Sequence, residues 1–213
     1  MSQHGPCSPD GAMTTKSADV RGRWTACERS LQADRVLAET MLDVLEAVLD
    51  RLERGGRVDP HMLDGVLRFF QDFVHDSHDS KVLGVMTALA ARHAPIERFD
   101  AAERVHAHRD MREGLREVRA LMPRLLKGRA ERPTLFARAY RFVADSRRRL
   151  CLERVLLSGL EEVLAPEEDE SLAKELARIE REAIGPTGRE WYTQVALDYR
   201  DIVSTWQRDR AQA

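Results

Sequence analysis

Long apolar runs are missing from this sequence. No stretch approaches the ~18 consecutive apolar residues of a membrane span, and the opening MSQHGPCSPDGAMTTKSADVRGR has no apolar export segment. A protein that is neither embedded in a membrane nor exported is the expectation, with the cytoplasm as its place. Cysteine is scarce as well: Cys7, Cys27 and Cys151 are odd in number and unrelated in spacing. That excludes a zinc knuckle or a redox dithiol and suits a reducing compartment. An excess of one charge sign is also lacking. The 34 Lys and Arg against 36 Asp and Glu leave a formal net charge of −2, so no strong field exists to hold nucleic acid or a membrane surface. Glycine-rich phosphate loops, nucleophile elbows and usable pairs of catalytic carboxylates do not occur. No residue therefore supports an enzyme, and no strand-like alternation or fixed-period repeat is present.

What is there is helix. A chain of 213 residues with 43% hydrophobic content can bury one good core. Residues 1–22 are rich in Gly, Pro, Ser and Thr without periodicity and read as a flexible tail. From Cys27 to Arg54, Leu31, Arg35, Ala38, Leu42, Leu45, Leu49 and Leu52 recur in steps of four and three, and Gly55-Gly56 ends the run. Asp59-Pro60 starts a second helix through Phe70, Val74, His78, Val82 and Leu89 to about His93. A third, from about Glu97 to Lys127, carries Val105, His108, Met111, Leu115, Val118, Met122 and Leu125 on one seam. The fourth opens near Arg132-Pro133-Thr134 and runs through Phe142, Cys151, Leu156 and Leu160 to Leu164. Short connections favour antiparallel neighbours, so residues 23–165 should form an up-down-up-down four-helix bundle. Residues 166–213 add two more helices: one from Pro166, with acids in its first turn, to Gly185-Pro186, and one from Arg189 to Arg208.

A polar layer interrupts these apolar seams. Arg35 lies early in helix one, His78 late in helix two, His108 early in helix three, and Arg147, Arg148 and Arg149 lie midway or later in helix four. Antiparallel packing brings them to one level. Consecutive residues of a helix point about 100° apart, so at least one of the three arginines turns inward. Buried polar groups must be paired, and bundle interiors are where metal sites are built. Inward candidates for a residual metal are His78, Asp79, His108 and Glu153.

Several stretches here resemble the helices of hemerythrin-like (HHE cation-binding) proteins. LQADRVLAETMLDVLE, from Leu31, is similar to the opening helix, with Asp34 in the acidic place and Arg35 in that of the first histidine ligand. VDPHMLDGVLRFFQDFVHDSHDSK, Val58 to Lys81, is similar to the second helix and its His-His-x-Lys-Glu-Glu motif. His78 and Lys81 match, while Asp79, Val82 and Leu83 do not. His108 with Arg112 matches a His-x-x-x-Arg pattern. In the fourth helix Arg148, Arg149, Leu150, Cys151, Leu152 and Glu153 stand where the family carries His-Ile-x-Lys-Glu-Asp, and Val155, Leu156 and the end at Glu161–Leu164 match. The resemblance implies a diiron bundle that handles oxygen, nitric oxide or iron. It places former ligand positions at Arg35, His78, Asp79, Val82, Leu83, His108, Arg148 and Leu152. Arginine keeps its proton and donates no lone pair, so the expectation is a bundle with no cofactor, acting through protein binding as an accessory subunit, scaffold or regulator. The alternative is a surviving iron site. Either histidine can instead be a hydrogen-bonded core residue; His75 and His78, three apart, can chelate, whereas His106 and His108 lie about 200° apart and cannot.

Two further features invite function. Cys151 lies near the polar layer beside arginines, where a cation favours the thiolate and a redox-sensing role; the plainer reading is an inert buried thiol. The last helix repeats Tyr192, Tyr199 and Trp206 every seven residues and adds Trp191. That stripe either docks on its own bundle or meets a protein partner or a second copy of the chain.

Overall fold

Thr25 opens the first helix with a reciprocal cap. Its hydroxyl accepts the Glu28 N–H at 3.1 Å, and the Glu28 carboxylate accepts the Thr25 N–H at 2.9 Å, satisfying two donors that a helix start leaves unpaired. Helix α1 runs Ala26–Glu53 and stops before Gly55, whose φ of +82° is a left-handed conformation that glycine adopts at little cost. The computed structural model describes residues 25–91, 101–126, 132–157 and 160–211, and among them every regular element is a helix.

Helix α2, Pro60–Arg68, has Asp59 as its N-cap and Pro60 in the first turn. It does not continue as plain α-helix. Phe69–His78 winds as a π-helix, and α3, Asp79–Ala91, follows directly. A π turn bonds i to i+5 and is rare, and the sequence reading anticipates no such turn. Phe69, Phe70, Phe73, Val74, His75, Ser77 and His78 are all buried, more than the single stripe of an α-helix turns inward. The chain continues as α4 (Ala101–Leu126), α5 (Arg132–Leu157), the single turn α6 (Leu160–Val163), α7 (Pro166–Ile184) and α8 (Gly188–Ala211). Gly185, at φ +79°, ends α7.

Cross-links fix how the helices run. Along α5 and α1, Tyr140 donates to Glu53 at 3.2 Å, Arg147 meets Asp43 and Glu46 at 2.8 and 2.7 Å, and the Leu160 N–H meets Glu28 at 3.3 Å. These helices are therefore antiparallel. Helix α8 runs parallel to α1, with Arg189 on Asp34 at one end and Arg51 over the Trp206 ring at 4.5 Å at the other. The Asp169 carboxylate, in the first turn of α7, accepts the Ala26 and Cys27 N–H groups at 2.7 and 3.0 Å, adding a cap to α1 from far along the chain.

Apolar burial falls into two clusters. The larger holds Leu42, Leu45, Leu49, Leu63, Phe70, Phe73, Leu115 and Phe142 among its members, and the smaller holds Cys27, Leu31, Val82, Val85, Leu89, Leu157 and Leu160. The last two helices enter both: Tyr192, Ala196 and Val203 lie in the larger and Leu176 in the smaller. They are thus part of the core rather than an addition laid over a finished one.

Candidate functional site: a buried layer of charge

Between the two clusters, α1, the helix of residues 60–91 and α5 each change from apolar to charged. In α1 the change comes at Asp34 and Arg35, in the second helix at His75, His78, Asp79 and Lys81, and in α5 at Arg149 and Glu153; all are buried. The π-helix supplies His75 and His78 side by side with the aromatic ladder beneath them, where Phe69 and Phe73 stack at 4.9 Å and Phe70 meets Phe142 edge-on at 5.5 Å.

His78 is the centre of the layer. Its Nδ1–H donates to Asp34 Oδ2 at 3.3 Å and its Nε2–H to Glu153 Oε2 at 2.9 Å. Burial opposes the charged ring, yet the Glu153 charge and the hydrogen bonds to Asp34 and Glu153 prevail and push its pKa up to about 9. It is an imidazolium between two carboxylates. Asp34 also receives Lys81 Nζ at 2.9 Å and pairs with Arg189; burial raises its carboxyl, but the His78 hydrogen bond and the Lys81 and Arg189 charges hold it well below the usual range. Glu180, in α7, joins Lys81 and Arg189, the latter at 2.6 Å. On the α5 side Arg149 pairs with Asp79 and stands 3.6 Å from Glu153, and Asp79 accepts from His75 Nδ1 at 3.0 Å. Burial disfavours charge on Glu153, but Arg149 and His78 still lower its pKa. Four carboxylates, Asp34, Asp79, Glu153 and Glu180, thus face four cations, His78, Lys81, Arg149 and Arg189. Low-dielectric surroundings make such pairing obligatory. Among the described residues His75 Nε2 and Ser77 Oγ have no hydrogen-bond partner.

Among the described residues no group of three or more His, Cys, Asp or Glu side chains is arranged to hold a metal ion. Both nitrogens of His78 face carboxylates. Asp34, Asp79 and Glu153, the available oxygen donors, are each held by a lysine, arginine or imidazolium. His75 and His78 do not chelate together, because His75 turns to Asp79 and His78 to Asp34 and Glu153.

Several sequence expectations are corrected. Of the three arginines Arg149 faces inward, while Arg148 is exposed and Arg147 binds the α1 surface. Leu83 and Leu152, placed at former ligand positions, are 55% and 54% exposed, since they lie about 100° from the inward Val82 and Glu153 on their helices. Val82 is buried, in the smaller apolar cluster. Arg35 is buried but pairs along its own helix with Glu39 at 3.7 Å. The side chain of His108 lies outside the described residues. Cys151 is half-buried, within electrostatic reach of Arg35. Cys27 is fully buried, and desolvation together with Asp169 pushes its thiol far up.

Of the two readings of the α8 stripe, Tyr192, Tyr199 and Trp206 follow the docking one. Tyr192 is buried, with its hydroxyl on Asp72 at 2.8 Å, and Tyr199 and Trp206 pack partly buried against the larger cluster. These three dock the helix on its own chain; Trp191 alone of the four named aromatics is mostly exposed, at 52%. Glu180 and Arg189 were not identified from sequence as members of the layer, and no local signal marks them: each is one charge among many on a helix end, and only packing carries it to Asp34 and Lys81. Comparison with protein families, curated proteins and solved structures finds no match for this chain.

Proposed function

We propose that this chain is a metal-free bundle of the hemerythrin-like kind, with α1, the second helix, α4 and α5 as an up-down-up-down frame. It acts by binding protein, as an accessory subunit, scaffold or regulator, rather than by catalysis. The observation that carries the reading is His78: a ring whose two nitrogens both donate to buried carboxylates occupies a position that the family resemblance gives to a ligand. Arg149, Lys81 and Arg189 hold the remaining carboxylates, so charge that a metal pair neutralises in a diiron bundle is neutralised here by side chains. A network of this kind sets helix register rather than chemistry. Metal analysis of protein produced in iron-replete cells tests it: the expected product is colourless and without stoichiometric iron. About two irons per chain, with an oxo-bridge absorption band, overturns the reading in favour of oxygen, nitric oxide or iron handling.

A further inference from the structure

The π winding of Phe69–His78 is met by a hydrogen bond from another helix. Asp79 gives its N–H to the Val74 carbonyl, five residues back, where α winding would give it to His75. The His75 carbonyl instead accepts Arg112 Nη2 of α4 at 2.8 Å, and the same nitrogen meets Asp76 Oδ1 at 3.2 Å. Arg112 thus donates where π winding has redirected a main-chain donor. Such winding is rare beside α-helix, and the segment also carries His75 Nε2 and Ser77 Oγ, buried and without a hydrogen-bond partner among the described residues. Orphaned buried atoms cost stability, so the π form needs compensating contacts.

We infer that the second helix is a two-register device, with Arg112 as the clasp that holds the π register. Helix α2 is fixed in the larger apolar cluster by Leu63 and Val66. A π turn takes up one more residue than α winding over the same stretch, so a return to α winding turns every residue of α3 by about 100° and carries it about 1.5 Å along the axis. Each residue then takes the place its successor had. His78, Asp79 and Lys81 leave their partners Glu153, Arg149 and Asp34, and Val82 moves from the smaller apolar cluster to the exposed place of Leu83. The layer's ion pairs favour the π register from inside, and Arg112 favours it from outside. Its side chain is 45% exposed. A contact at the surface of α4 therefore governs whether the buried charges meet, and the device does not depend on the binding role proposed above.

Maleimide labelling of the full chain, read by peptide mass mapping so that the native thiols are told apart, tests the device. Val66→Cys and Val82→Cys, made separately, place reporters before and after the π segment at two buried positions. With Arg112 intact, both should react slowly. Arg112→Ala should speed labelling at position 82 about tenfold, as expected for the loss of one charge-assisted hydrogen bond, and leave position 66 unchanged. Deletion of Asp76 removes the extra residue, so the segment winds as α-helix with α3 in its present place. In that background both reporters should stay protected, and Arg112→Ala should change neither. Unchanged labelling at position 82 in Arg112→Ala overturns the device, as does an equal rise at position 66, which marks general loosening of the fold. A deletion variant that fails to fold, or that still responds to Arg112→Ala, overturns it as well.

Discussion

The larger apolar cluster and the inner part of the charge layer, Asp34, His78, Asp79, Lys81 and Glu153, are both buried, yet they are held by forces of different kinds. Around Phe70, Leu45 and Phe142 stabilisation grows with the area removed from water and with close packing, and no single partner is indispensable. In the layer each group depends on particular partners, because an ion left alone in the interior loses its hydration with nothing in return. The first kind of contact tolerates a change of shape. The second tolerates removal of a whole pair far better than removal of half of one.

The largest expected effect comes from breaking the layer on one side. Asp34→Ala leaves His78, Lys81 and Arg189 without a shared carboxylate and should destabilise the fold by about 3–5 kcal/mol, read as a drop in the urea midpoint. Phe70→Ala should cost a similar ~3–5 kcal/mol by cavity formation. The two are told apart by pH, since only the Asp34 variant should flatten the pH profile of stability.

That profile follows from the shifts. His78 is raised from 6.5 to about 9 in the folded chain, so its contribution is complete below about 6.5 and lost as pH rises through about 9. Asp34, Glu153 and Glu180 are lowered from 3.8, 4.5 and 4.5, so theirs is complete above those values and lost as pH falls through the folded pKa values. Stability should therefore be greatest between about pH 5 and 6.5 and fall on the alkaline side by a few kcal/mol. His78→Gln should remove most of the alkaline limb; a limb that survives it assigns the titration to another group.

A smaller effect sharpens the role of α8. A methyl group at Gly65 collides with the Tyr199 hydroxyl and ring, so Gly65→Ala should cost about 1–3 kcal/mol by overpacking. Tyr199→Phe in the same background should recover part of that loss, measured by thermal melts. The smallest effect separates neighbours in sequence. Arg148→Ala, at an exposed position, should move stability by no more than about 0.5 kcal/mol, whereas Arg149→Ala strips the buried Asp79 of its cation. Equal losses from the two would place the layer on the wrong face of α5.

Periodicity was enough to read the helices and most of their ends. Leu31, Leu42, Leu45 and Leu49 are buried as their spacing predicts, and Asp59-Pro60, Gly55 and Gly185 mark real boundaries. The existence of a polar level was legible too, because Arg35 and His78 break apolar seams, and both are buried. Its membership was less so. A run of three arginines says that one turns inward, but choosing Arg149 over Arg148 depends on a rotation of about 100° that only the neighbouring helices settle. The same rotation moves Leu83 and Leu152 outward and separates Trp191 from Tyr192.

By itself the sequence determined an all-helical chain with a charged level inside its core, since the spacing of apolar side chains along a helix is a local property read residue by residue. Tertiary structure decided the pairing: that Phe69–His78 opens into a π-helix, that Glu180 and Arg189 return from the last two helices to Lys81 and Asp34, and that Arg149 meets Asp79. These contacts join residues far apart in the chain. Their energies depend on distance, burial and the company of other charges, none of which exists until the helices pack.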